Sequence, residues 1–143
     1  MMTPECLREL RTTWLPHVTD SGLARLVELL EQGSPLLIRG SFTRAVPQGC
    51  LATQIAWHHP ATEHLTLDAG IHWLTRVAKL NPATSLLVRA WDNSTSCDFE
   101  LRRELLSETG DELRRRRDRP ASLPAENRVA RLVGADRGAL APR

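Results

Sequence analysis

The chain has 143 residues, of which 41% are hydrophobic and 25% are charged, with four Trp, two Phe and no Tyr. A chain of this length builds one hydrophobic core, and its composition is that of an ordinary globular domain, so two full domains are excluded. Residues 1–113 carry 10 Lys or Arg against 14 Asp or Glu, a net charge of −4, whereas residues 114–143 carry 9 against 3, a net charge of +6. The sequence therefore combines a mildly acidic body with a basic C-terminal segment.

The three cysteines and the absence of long apolar runs bear on cellular location. Cys6, Cys50 and Cys97 form no CxxC pair, so neither a zinc ribbon nor a disulfide framework is indicated. No apolar run reaches the roughly 18–20 residues that span a bilayer, and the first residues lack a signal-peptide pattern. We therefore expect a cytoplasmic protein that makes no membrane contact.

Two helices are predicted at the start of the chain. Thr3 is the expected N-cap of the first, with Pro4 at its first position, and Pro16 ends it. The second begins near Thr19 and ends at Gly33, which suits the left-handed residue after a helix. The predicted apolar faces consist of Leu7, Leu10 and Trp14 in the first helix, and of Leu23, Leu26, Val27 and Leu30 in the second.

Residues 36–46 have a different pattern, a short apolar run interrupted by Gly40-Ser41. This pattern is typical of a small β-hairpin or of an irregular packed loop. A two-stranded hairpin is only marginally stable by itself, so either form requires helices to cover it.

Three or four further helices are predicted after this segment. One ends at Pro60, the next begins at Thr62 or Thr66, and another begins with Asn81 as cap and Pro82 as its first residue. The last has Ser96 as its expected cap. The apolar residues expected inside are Leu51, Ile55, Leu67, Ile71, Leu74, Ala78, Leu86, Leu87, Ala90, Trp91, Phe99, Leu101, Leu105 and Leu106.

The predicted fold is thus mainly α, a compact bundle of five or six short helices with either the hairpin or the packed loop at 36–46. One helical domain is expected over residues 1–117. Residues 118–143 are rich in Arg, Pro and Ala and have no sustained period. We expect them to be a disordered tail, because they cannot bury enough apolar surface to offset chain entropy.

Four of the five histidines lie between positions 58 and 72. If a helix begins at Thr62, then His64, Asp68 and His72 are spaced i, i+4, i+8 and share one face. Histidine and carboxylate at this spacing bind divalent transition metals, and His58 is placed to add a ligand. The alternative is a solvated polar stripe in which Asp68 and His72 make an ordinary helical pair.

Cys50 is a candidate reactive thiol, because it lies at a predicted helix N-terminus, where the helix dipole favours the thiolate. Burial as a small apolar side chain is the alternative for a free cysteine. Trp57 is the tryptophan expected to line a pocket or an interface, whereas the other three are expected to pack in the core. The basic run of Arg114, Arg115, Arg116 and Arg117 is a candidate contact for a protein partner or for nucleic acid.

These features lead to three hypotheses of function. The first is a non-enzymatic accessory or adaptor domain that binds another protein, since no catalytic motif is present. The second is a metal-binding protein or metal-dependent enzyme that uses the histidine and aspartate cluster. The third is a nucleic-acid-associated protein that acts through the arginine-rich tail.

Overall fold

The computed structural model describes residues 1–62, 64–95 and 97–119. This part of the chain is mainly helical and contains no β-strand, which confirms the predicted fold class. The predicted disordered tail lies outside the described residues from position 120 onward, and so does the predicted cap Ser96. The α-helices are α1 (Pro4–Glu9), α2 (Asp20–Gln32), α3 (Leu51–Ala56), α4 (Ala69–His72), α5 (Leu86–Asp92) and α6 (Phe99–Arg117).

The chain divides into two units, Met1–Leu113 and Arg114–Arg143. The first contains α1 to α5 and most of α6 together with the hydrophobic core. In the second, the structure describes the last turn of α6 and the two residues that follow it.

Helices α1 and α2 begin at the predicted caps and α2 ends at the predicted Gly33, whereas α1 ends at Glu9 and not at Pro16, which lies inside a later 3₁₀ turn. The Thr3 hydroxyl accepts the Cys6 N–H at 3.1 Å, and the Thr19 hydroxyl accepts the Gly22 N–H at 3.1 Å. Gly33 adopts φ = 59° at the end of α2, a left-handed conformation that glycine reaches without steric cost. Beyond α1 the chain continues as a π-helical turn over Leu10–Trp14 and a 3₁₀ turn over Leu15–His17.

Residues 36–46 form the packed loop and not the hairpin. Gly49 makes two isolated bridges, one parallel to Leu37 and one antiparallel to Thr43, and no ladder follows from either. The buried Gln54 amide of α3 donates to the Leu36 and Pro47 carbonyl oxygens at 2.9 and 3.0 Å. The loop is thus held by a helix side chain and by backbone hydrogen bonds to residues 48–50, such as that from the Ile38 N–H to the Gly49 carbonyl oxygen at 3.1 Å.

The start of α4 and its buried face both differ from the prediction. The helix begins at Ala69 and not at Thr62 or Thr66, and the Thr62 hydroxyl instead hydrogen-bonds to the carbonyl oxygens of Ala56, the last residue of α3, and of His59 in the turn that follows. The expectation that Leu67 and Ile71 are buried is wrong, since both are exposed. The buried residues at this position are Ala69, Gly70, Trp73 and Leu74.

Gly70 explains why α4 turns this face inward. A methyl group at Gly70 would lie 3.0 Å from the Thr53 backbone nitrogen and 3.1 Å from Phe42 Cδ1. It would also collide with the Thr53 hydroxyl. The backbone of α4 therefore packs directly on α3 at Gly70, and Leu67 and Ile71 lie on the exposed side.

The start of α5 also differs from the prediction, because its cap is Ser85 and not Asn81. The Glu9 carboxylate accepts hydrogen bonds from the Ser85 hydroxyl at 2.6 Å and from the Leu86 and Leu87 N–H groups at 2.9 and 3.1 Å. The same carboxylate accepts the Trp14 indole N–H at 3.0 Å. One side chain of α1 thus fixes both a core tryptophan and the first turn of α5.

The core is built around three tryptophans, as predicted. Trp14, Trp73 and Trp91 are fully buried, and the rings of Trp14 and Trp73 pack at a centroid distance of 5.1 Å and an interplanar angle of 57°. This tilted arrangement is favourable for aromatic pairs. Leu101 and Leu105 of α6 are buried as expected, whereas Phe99 is exposed.

Candidate functional site

The histidine-rich segment holds two separate arrangements. Asp68 Oδ2 and His72 Nε2 form an i, i+4 pair at 3.0 Å at the start of α4. His64 lies in the turn before that helix, where its Nδ1 is 2.7 Å from the Trp57 carbonyl oxygen. Because α4 begins after His64, the expected single helical face of His64, Asp68 and His72 does not form.

His58, the fourth candidate ligand, follows α3 at the surface. Partial burial lowers its pKa, and the charges of Arg25 and His64 lower it further. Among the described residues, no group of three or more His, Cys, Asp or Glu is placed to hold a metal ion. The metal-binding hypothesis for His58, His64, Asp68 and His72 therefore stays a prediction.

Cys50 is the N-cap residue of α3, as expected, and is 4% exposed. Burial raises its pKa despite opposing hydrogen bonds from the Thr53 hydroxyl and from the Thr53 and Ala52 backbone. This direction is opposite to that expected from the helix dipole, because loss of hydration disfavours the thiolate more than the dipole favours it. The environment holds Cys50 as a neutral thiol.

Trp57 is 5% exposed, and its indole N–H donates to the Thr66 carbonyl oxygen at 3.2 Å. Trp57 is therefore buried under the segment before α4 and holds the backbone of that segment by a hydrogen bond.

The basic run Arg114, Arg115, Arg116 and Arg117 forms the last turn of α6, with three of the four exposed. Contact of this basic run with nucleic acid or protein stays a prediction.

The sequence pattern missed an exposed apolar surface directly before and within α4. Leu65, Leu67 and Ile71 are 46%, 64% and 38% exposed, and we call them the 65–71 surface. The available signal was Ala69-Gly70, a pair of small residues between larger apolar ones. Small residues mark the face on which a helix approaches another most closely, and they place the larger neighbours outside.

Leu65 has φ = 60°, a left-handed conformation that is rare for a bulky side chain. Such a residue persists only where the surrounding structure holds it. Here the turn is held on both sides, by the Trp57–His64 contact before it and by the Trp57–Thr66 hydrogen bond after it. The Thr43 hydroxyl also donates to the Leu67 carbonyl oxygen at 2.7 Å.

In the part of the chain that the structure describes, no helix combines the length and the apolar character that crossing a bilayer requires. The chain matches no protein-family model, no curated protein and no solved structure.

Proposed function

We propose that the chain is a small non-catalytic adaptor that binds another protein through the 65–71 surface. The observation that carries this proposal is the exposure of Leu65, Leu67 and Ile71 within seven residues. Large apolar side chains that are exposed close together are typical of interaction sites, whereas single exposed ones are ordinary. The partner is a protein with a complementary apolar face.

The fixed backbone of the segment supports the same function. Because Trp57, His64 and Thr43 hold the turn by hydrogen bonds, binding does not have to order it first. Burying a leucine side chain that is two-thirds exposed contributes roughly 1–2 kcal/mol to association. The left-handed conformation of Leu65 lowers the stability of the folded chain. In this proposal the conformation holds the Leu65 side chain at the surface, where a partner contacts it.

The polar neighbours of the surface fit the arrangement of known interfaces. The Asp68–His72 pair lies between and beside the exposed apolar residues, with Asp68 largely exposed. An apolar centre with a polar edge is the usual organisation of a protein–protein interface. In this proposal the pair belongs to the edge and helps to set the orientation of the partner.

Site-specific photocrosslinking tests the proposal. A photoreactive phenylalanine analogue replaces Leu67 in one version of the full chain and Leu86 in another, and each is irradiated in the native host. Leu86 is a matched control, because it is an exposed leucine that lies on α5. We expect one adduct of defined mass from position 67 that is absent from position 86.

A second pair of variants connects the adduct to the apolar surface. Ile71→Asp is expected to abolish the adduct from position 67, whereas Leu86→Asp, at an equally exposed leucine of α5, is expected to leave it unchanged. Equal adducts from positions 67 and 86, or an adduct that survives Ile71→Asp in a folded chain, would refute the proposal.

A further inference from the structure

A small cavity lies where the C-terminal end of α2 meets the start of α6. Its volume is about 90 Å³, and its apolar wall includes Leu30, Leu37 and Trp91. The charged residues that line it are Arg39 and Arg102. Two cations that face one small space repel each other unless an anion lies between them.

Arg39 is fixed in position by its neighbours. Its guanidinium carbon lies 4.0 Å from the centre of the Trp91 ring, and its Nε donates to the Ser94 hydroxyl at 2.7 Å. Within the described chain, its two terminal amino groups have no hydrogen-bond acceptor. A stacked arginine whose outer edge is unoccupied is pre-organised to bind an oxyanion through two parallel hydrogen bonds.

Arg102 completes the arrangement from α6. Its guanidinium carbon is 5.1 Å from the centre of the Phe99 ring, and a methyl group at Gly33 would lie 3.0 Å from Arg102 Nη1. The guanidinium therefore rests against the glycine that ends α2. It is not needed as a helix cap, because Ser34 N–H already bonds the Leu29 carbonyl at 3.1 Å.

The positive charge at this cavity lacks a close partner. Over residues 1–62, 64–95 and 97–119, no Asp or Glu forms an ion pair with Arg39 or Arg102. Burial lowers the pKa of Arg39, the charge of Asp98 raises it and the charge of Arg102 lowers it. Asp98 Oδ1 is used in α6, where it accepts the Leu101 N–H at 3.1 Å.

From this geometry we propose that Arg39 and Arg102 bind the phosphate group of a phosphate monoester. Two guanidinium groups match the double charge of a phosphate and offer more donors than a carboxylate accepts. The cavity has the scale of one phosphate group, well below the roughly 300–1,000 Å³ of sites for whole drug-sized ligands. This site goes beyond the proposed protein-binding function and does not depend on it.

An adjoining open groove of about 310 Å³ receives the rest of the ester. It shares Leu30 and Arg102 with the cavity and is also lined by Glu31, Phe99, Arg103 and Leu106. A phosphate held by the two arginines thus directs its ester group along α6 into a groove that carries one carboxylate and a further guanidinium beside its apolar side chains. The ammonium and carboxylate groups of O-phosphoserine match these two charges, so we expect it to bind more tightly than inorganic phosphate.

Titration calorimetry at constant ionic strength, with inorganic phosphate as the probe, tests the site. We expect saturable binding to the full chain that weakens roughly ten- to hundredfold in Arg39→Gln and in Arg102→Gln, the loss expected for a charge-assisted hydrogen bond. Arg89→Gln is the matched control, because it removes the same charge from an exposed position on α5. Its binding should equal that of the unmodified chain.

Further variants and ligands keep the test decisive. Arg39→Lys keeps the charge but not the paired donors, so weaker binding by this folded variant supports the site even if Arg39→Gln does not fold. A phosphoserine peptide that binds more tightly than free O-phosphoserine assigns a protein source to the phosphate, and equal binding assigns a small molecule. No saturable binding, or equal weakening in Arg89→Gln, would overturn the proposal.

Discussion

Helix α2 and the segment that leads into α4 have similar apolar patterns but opposite outcomes. In α2 the leucines predicted to be buried, Leu23, Leu26 and Leu30, are buried. In the second region Leu67 and Ile71 were expected inside and lie outside. The difference lies in length: α2 has 13 residues and α4 has 4, followed by a π-helical turn. A long helix averages its apolar face over several turns, whereas a single turn is oriented by one close contact.

Matched leucine truncations make this comparison directly. Leu23→Ala in α2 is expected to lower the free energy of unfolding by about 3 kcal/mol, because it removes a fully buried side chain and leaves a cavity. Leu67→Ala is expected to change the free energy of unfolding by less than about 0.5 kcal/mol, as for most surface substitutions. Urea unfolding followed by circular dichroism measures both.

Each truncation is a control for the other, because both remove the same side-chain atoms of a leucine. Similar losses at positions 23 and 67 would mean that Leu67 is buried in solution. That result would remove the 65–71 surface together with the function proposed for it.

Gly70→Ala addresses the contact that orients α4. The added methyl group meets Thr53 and Phe42 at distances of 3.1 Å or less, so the helix must move away from α3. We expect a loss of about 2 kcal/mol in the free energy of unfolding, which is typical of overpacking. Chemical denaturation measures it.

Gly40→Ala separates this clash from backbone strain. Gly40 has φ = 82° but nothing within 4 Å of an added methyl group. Its substitution should therefore cost only the strain of a left-handed alanine, about 1 kcal/mol. If Gly70→Ala costs no more than Gly40→Ala, close packing on Thr53 is not what turns Leu67 and Ile71 outward.

The features that local sequence predicted share one property: the groups that decide them lie within a few residues of each other. This holds for the caps Thr3 and Thr19 and for the left-handed Gly33, where each bond spans at most four residues. The cap of α5 was assigned to Asn81 although Ser85 carries a local signal of the same kind, since its hydroxyl accepts the Val88 N–H at 3.3 Å. The hydrogen bonds from the first turn of α5 to Glu9, which lies 76 residues before Ser85, favour this start over Asn81-Pro82, and no local pattern contains them.

The candidate sites show the same limit. The i, i+4 pair of Asp68 and His72 is local and was predicted as one of two alternatives, whereas the turn containing His64 depends on Trp57. The cavity of Arg39 and Arg102 joins residues 63 positions apart and has no motif. Spacing arguments place residues on a helix face only once the start of that helix is known, and here it was set by Thr62 and Gly70.

The smallest expected effect is a dependence on pH where the two compared regions meet. His58 lies between them: its carbonyl oxygen accepts the Thr19 hydroxyl at 3.1 Å, and Arg25 of α2 and His64 both act on its charge. Burial, Arg25 and His64 lower its pKa from the ordinary 6.5, so the unfolded chain binds a proton more readily than the folded chain. The contribution of His58 to stability is therefore present above pH 6.5 and is lost as pH falls below it.

Urea unfolding at a series of pH values between about 7.5 and 5.5 measures this loss, in a window above the ordinary carboxyl pKa values. His58→Gln should flatten part of the decline, and His59, whose pKa burial also lowers, should account for part of the remainder. His64→Gln should reduce the decline as well, because it removes one of the charges that oppose protonation of His58. Stability that rises on acidification over this window, and that no longer rises in His58→Gln, would mean that His58 gains a proton on folding and would contradict its lowered pKa.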